Sequence, residues 1–91
     1  MKINFSNRFK RDYQKYKKKH FDMNKLSMVF KHIQNDEFEV LINRYRLHQL
    51  KGNWIGHYEL HVDNDWLLIY VTEDSICTLI RLGSHDELFK G

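Results

Sequence analysis

The sequence has no proline, one cysteine and only four glycines in 91 residues. A lone Cys77 excludes an internal disulfide, and its apolar setting at 76–80 reads as a small buried hydrophobe rather than a nucleophile. Gly52, Gly56, Gly83 and Gly91 are too scattered to form a phosphate-cradling loop. No apolar stretch approaches the roughly 20 residues of a membrane helix, and residues 1–7 lack a signal-peptide core, so a cytoplasmic protein is expected. Also missing are His-Glu-x-x-His, paired cysteines and Gly-x-Ser-x-Gly, so no standard zinc or serine-hydrolase motif is present. With no linker or repeat, residues 1–91 are expected to form one domain with a modest core.

Charge is abundant but unevenly placed. Residues 2–20 carry eight basic side chains against Asp12 alone, a net +7, whereas 21–91 carry seven basic and eleven acidic ones, a net −4. Arg8, Lys10, Arg11, Lys15, Lys17, Lys18 and Lys19 make a basic segment of the kind that grips RNA or a ribosome. A merely solvated helix face has the same composition.

Hydrophobic spacing gives the elements. Residues 2–5 alternate as a short strand, and Ser6 is placed to cap a helix in which Phe9, Tyr13 and Tyr16 share a face. Asp22 can cap a second helix, where Leu26, Val29, Phe30 and Ile33 form an apolar stripe that ends near residues 35–37. Thereafter strands are expected at 46–50, 55–62, 66–71 and 76–82. Gly52-Asn53 would make a tight hairpin turn, and 84–89 one helical turn. The fold class is α+β, in the order β-α-α-β-β-β-β, with a helical hairpin packed on an antiparallel sheet.

Six histidines are many for this length. His48, His61 and His85 fall at or near strand ends, and Asp65 follows His61 across a turn, so the four are expected to meet at the sheet rim. Cleavage of RNA needs a base for the 2′-hydroxyl and an acid for the leaving 5′-oxygen, and imidazole serves either role near neutral pH. Arg81 is placed to hold the charged phosphate, while Trp66 and Phe89 can stack on bases. Each residue also has a plainer reading: solvated histidines, a paired arginine, a core tryptophan. Three histidines and a carboxylate could also hold zinc, although the usual spacings are missing.

Three ordered blocks then resemble one family. HQLKGNW at 48–54, HVDNDWLLIY at 61–70 and RLGSHDELF at 81–89, with DMNKL at 22–26, are similar to YafQ-like toxins of the RelE/ParE superfamily. The resemblance spans most of the chain and is most specific from His48 onward. It implies a type II toxin–antitoxin component that enters the ribosomal A site and cleaves messenger RNA by acid–base chemistry, without a metal or other cofactor. It also implies a helical hairpin on a five-stranded sheet. The family's catalytic residues fall on His48, His61, Asp65 and His85. Arg81 is matched to phosphate stabilisation and Phe89 to substrate placement, with Trp66 adjacent; Lys51 is expected as a further substrate contact, and the basic first helix, which matches the family only in pattern, is expected to grip ribosomal RNA. Lys90 follows Phe89 where close relatives end almost directly. The implied partners are the ribosome, its messenger, and an acidic antitoxin that is partly disordered when free, the toxin itself being monomeric. Two other readings stay open: a ParE-type toxin that binds DNA gyrase, and an RNA-binding domain without catalysis.

Overall fold

The computed structural model describes residues 1–90, and Gly91 lies outside them. Among the described residues the order is strand β1 (Lys2–Phe5), helices α1 (Asn7–Lys18), α2 (Met23–Gln34) and α3 (Phe38–Tyr45), and strand β2 (His48–Gln49). A 3₁₀ turn (Gly52–Trp54) leads to strands β3 (Tyr58–Asp63), β4 (Trp66–Glu73) and β5 (Ile76–Gly83), then helix α4 (His85–Phe89).

The caps act where the sequence places them. The Ser6 hydroxyl accepts from the Phe9 N–H at the start of α1, and the Asp22 carboxylate accepts from the Asn24 N–H at the start of α2. Phe9 and Tyr16 of α1 and Leu26, Val29 and Ile33 of α2 are buried, while Tyr13 and Phe30 pack against them at the margin. Helix α3 is an addition to the expected pair. Phe38, Leu41, Ile42 and Tyr45 have helical spacing, but only Leu41 is fully buried and Glu37 makes no capping bond, so the usual start signal is absent. The helix stops at Arg46, whose φ of 54° is the left-handed conformation common after helix ends.

Among the described residues the sheet has five strands in the order β1-β5-β4-β3-β2. It is mixed rather than wholly antiparallel, because β1 joins β5 in parallel, pairing Lys2 with Ile76 and Phe5 with Leu79. A parallel neighbour needs a long crossover, and everything from α1 to β4 supplies it. Strand β4 is central, as its two apolar faces suggest. Gly52-Asn53 does not form a two-residue hairpin. Gly52, at φ +66°, opens the 3₁₀ turn, and the Leu50 N–H donates to the His57 carbonyl at 2.9 Å, leaving β2 only two residues long.

The sheet separates two apolar clusters. Leu60, Val62, Trp66, Leu68, Tyr70, Cys77, Leu79 and Leu82 face the three long helices. Burial pushes the Cys77 thiol up to about 12, which removes it from nucleophilic chemistry. On the opposite face Leu67 and Ile69 pack with Leu88 of α4, and Leu50, Trp54, Ile80 and Phe89 surround them. Much of that second face carries no long helix. No helix among the described residues is long and apolar enough to cross a membrane.

Candidate functional site

Strand register assembles the site on the second face. His48 of β2 pairs with Glu59 of β3, Glu59 with Ile69 of β4, and Ile69 with Arg81 of β5, while His61 pairs with Leu67. Directly opposed residues share a face, so His48, Glu59, His61 and Arg81 project to the same side as Ile69. Ile69 pairs with Arg81 and Tyr70 with Leu79, leaving Ile80 as an extra residue in β5. That bulge turns Arg81 toward the edge of the sheet.

Two groups of candidates result. In the first, Glu59 lies between two imidazoles, its Oε1 at 3.3 Å from His48 Nε2 and 3.7 Å from His61 Nε2. Nδ1 of His48 lies 2.8 Å from the Arg46 carbonyl oxygen, an acceptor, so Nδ1 is the protonated nitrogen of that pair. Desolvation pulls the His61 pKa below its ordinary value of 6.5. The charges of Arg46 and His48 act in the same direction, against the opposing pull of Glu59 and Asp65. His61 is therefore biased to the neutral, proton-accepting form. A polar pocket beside it is lined by Arg44, Arg46 and Asn64.

In the second group, Asp65 and α4 are tied together. Asp65 adopts φ 48° in the β3–β4 turn and accepts the His85 backbone N–H on Oδ1 at 2.8 Å. Ser84 caps the same helix in a reciprocal capping box with Glu87. The rings of His85 and Phe89 lie 5.0 Å apart, and Trp54 meets Phe89 edge-on at 5.9 Å. His85 is exposed and Phe89 half-buried. Asp65 bridges the groups electrostatically, since its charge is felt at His61.

Arg81 is anchored rather than free. Its Nε donates to Asp12 Oδ2 at 2.7 Å and an Nη to Asp12 Oδ1 at 3.4 Å. Asp12 Oδ2 also accepts the Leu82 N–H, at the part of the β5 edge that β1 does not reach. The clamp uses only part of the guanidinium, which has five N–H donors.

Trp66 needs correction as a substrate contact. It is 1% exposed, on the helix side of the sheet, against Tyr16 and Phe21. A residue stacked there holds the core together and has no face to offer a base. Trp54, on the 3₁₀ turn beside Phe89, is the accessible tryptophan, and it was hidden by the expectation of a tight turn. Lys51 is exposed immediately before that turn. Arg8, Lys10, Arg11, Lys15, Lys17, Lys18 and Lys19 are all exposed on or just after α1. Lys15 additionally pairs with Glu87 of α4. Glu59 and Arg46 were not singled out in the sequence. The alternation of β3 does place Glu59 on the face of His61, which was the available signal.

The mixed five-stranded sheet under its helices, with His48, Glu59 and His61 on the uncovered face, defines a toxin-like α+β fold of the kind the three sequence blocks resemble. Residues 1–90 match the profile of the YafQ family, described as a bacterial toxin of type II toxin–antitoxin systems, and the chain belongs to that family. The chain is 36% identical over 87 residues to the mRNA interferase toxin YafQ of Escherichia coli K12, covering 96% of this chain and 94% of that one. A copper-bound mutant toxin from Helicobacter pylori superposes with a TM-score of 0.88 at 35% identity, covering 98% and 99% of the two chains. The toxin of the E. coli DinJ–YafQ toxin–antitoxin complex gives 0.86 at 36% identity, covering 96% and 94%.

Proposed function

We propose that the protein is a ribosome-dependent messenger RNA endoribonuclease that inhibits translation and is held in check by a cognate antitoxin. The observation that carries this reading is the gathering of His48, Glu59 and His61 on an open sheet face, with Arg46 lining the pocket beside His61 and Arg81 opposite Ile69 on β5. His61 Nε2 takes the proton of the 2′-hydroxyl, and that oxygen bonds to phosphorus as the bond to the 5′-oxygen breaks. His85 supplies the proton to the leaving oxygen, giving a 2′,3′-cyclic phosphate and a 5′-hydroxyl end. Asp65 positions His85 through its backbone N–H, and Arg81, oriented by Asp12, faces the charged phosphate. His48 and Glu59 complete the polar wall beside His61. Trp54 and Phe89 offer ring faces to unpaired bases, and Lys51 a cation to the backbone.

The exposed basic face of α1 is assigned to ribosomal RNA. As DinJ does with YafQ, an antitoxin would bind this chain in the bacterial cytoplasm. The apolar groove of Phe5, Tyr13 and Phe30, flanked by Lys10, suits an acidic amphipathic segment that folds on contact.

The test is cleavage of a short messenger with and without programmed ribosomes in EDTA, with mapped product ends and folded His61→Ala and His85→Ala proteins alongside. Ribosome-stimulated cutting that fails in both variants is expected. A wild-type protein that is toxic in cells yet cuts nothing would overturn the nuclease reading and favour gyrase binding.

A further inference from the structure

The polar pocket beside His61 holds two cations that the fold does not use. Arg44 and Arg46 line it with Asn64, around an opening of about 290 Å³, and both arginines are exposed. Among the described residues neither guanidinium pairs with an acid. The acid in the same lining, Asp63, is already taken. Lys25 donates to its Oδ2 at 2.6 Å, and the Asn64 N–H to its Oδ1 at 2.8 Å. Arg44, in the last turn of α3, suits the negative end of that helix. Arg46 lies past the helix and has no such duty. Its backbone is fixed instead, the carbonyl accepting from Nδ1 of His48 at 2.8 Å. Because β2 pairs His48 with Glu59, two residues further back Arg46 stands across from His61, on the side away from β4. Its charge is felt at His61.

We propose that Arg44 and Arg46 form a phosphate subsite for single-stranded messenger RNA, holding the linkage on the 5′ side of the nucleotide whose 2′-hydroxyl attacks. The placement follows from the direction of the chemistry and rests on the nuclease reading above. His61 takes the 2′-hydroxyl proton, so the attacking nucleotide lies over β3. His85 protonates the leaving oxygen of the next nucleotide, where α4 follows β5 and Trp54 and Phe89 meet. The message therefore crosses the strands from Arg46 past His61 to His85 in the 5′-to-3′ sense, and the upstream phosphate arrives at the arginines. Guanidinium groups match phosphate oxygens with paired N–H donors. A backbone contact reads no base edge, so the subsite adds grip without adding codon preference. The opening is close to the roughly 300 Å³ at the lower end of small-ligand sites, room for a sugar–phosphate unit and not for a duplex. Unlike Arg81, which Asp12 clamps, these two arginines are free to close on the backbone.

The test is the ribosome assay at about pH 8, where His61 is neutral with or without Arg46, on messengers in which one linkage is an uncharged methylphosphonate. Neutralising the linkage 5′ of the attacking nucleotide should lower kcat/KM about tenfold, the weight of one charge-assisted hydrogen bond. Arg44→Gln combined with Arg46→Gln should lower it similarly on the ordinary message and lose little more on the neutralised one. A variant that stays as sensitive to the neutral linkage as the wild type overturns the subsite. So does a loss confined to a neutral linkage 3′ of the cut. Weakened ribosome binding with equal losses on every message would move the arginines to ribosomal RNA and overturn it too. Both side chains are exposed, circular dichroism checks the fold, and Arg44→Gln alone serves if the double variant misfolds. If the wild-type protein cuts nothing, the nuclease reading falls and binding of a short labelled 2′-O-methyl RNA to the free protein decides the phosphate contact. Its salt slope should drop by about 0.7 for each arginine replaced, and an unchanged slope, or no binding at low salt, overturns the contact.

Discussion

At the scale of single residues, burial decides which of two tryptophans serves the core and which serves the surface. Trp66→Ala should cost about 3–5 kcal/mol, a large share of a small domain's stability, as read by urea unfolding. Trp54→Ala should leave the midpoint nearly unchanged but weaken messenger cleavage by the roughly 1–3 kcal/mol of one stacked base. His61 gives a pH signature. Its pKa lies below 6.5 in the folded protein, so the base form persists at neutral pH and the acid limb of kcat/KM should fall below that value. Arg46→Ala removes one of the depressing charges, and the limb should move up in a pH–rate profile; a limb that stays in place would remove His61 as the base. The same depression makes the unfolded chain bind the proton more readily, so His61 favours the native state above 6.5 and disfavours it as pH falls through that value. Most of these residues were legible in the sequence as histidines and an aspartate at strand ends. Glu59 and Trp54 were not, because a buried glutamate and a loop tryptophan acquire meaning only from what packs beside them.

At the scale of elements, α4 is the part that must be held still. It is five residues long and has too few internal hydrogen bonds to persist alone. Asp65, the Ser84–Glu87 capping box, and the bonds from Tyr16 and Lys15 to Glu87 together hold it against β5 and α1. Burial raises the Glu87 pKa, but the hydrogen bonds from Lys15, Ser84 and Tyr16 outweigh it and hold the carboxyl at about 2. Its support for the fold is therefore present above its ordinary 4.5 and lost as pH falls toward 2, a loss that Glu87→Gln should abolish in acid-unfolding curves. Gly83 controls the same contact. A Cβ there would sit 3.1 Å from Leu88 Cδ2, so Gly83→Ala should cost about 1–3 kcal/mol and lower kcat through a displaced His85. The start of α4 was legible from Ser84 and Glu87. Helix α3 was not, since its apolar stripe is mostly exposed and no side chain caps it.

At the scale of the whole molecule, charge and chemistry occupy different sides of the chain. The exposed basic residues run along α1, on the helix layer, while His48, Glu59 and His61 lie across the sheet. Replacing Lys17, Lys18 and Lys19 with glutamine should weaken ribosome binding, flatten its salt dependence by about 0.7–0.9 per lost phosphate contact, and leave the folded chain's stability nearly unchanged. Unaltered salt slopes would remove α1 from the ribosome contact. The sheet order that makes this arrangement has a consequence for timing. Strand β1 closes only onto β5, and Arg81, His85 and Phe89 lie beyond most of that pairing. During synthesis the first strand must wait until α1 through β5 have been made, and the site gains His85 and Phe89 only after that. No nascent segment that stops short of β5 can therefore turn a completed site on the ribosome that is making it.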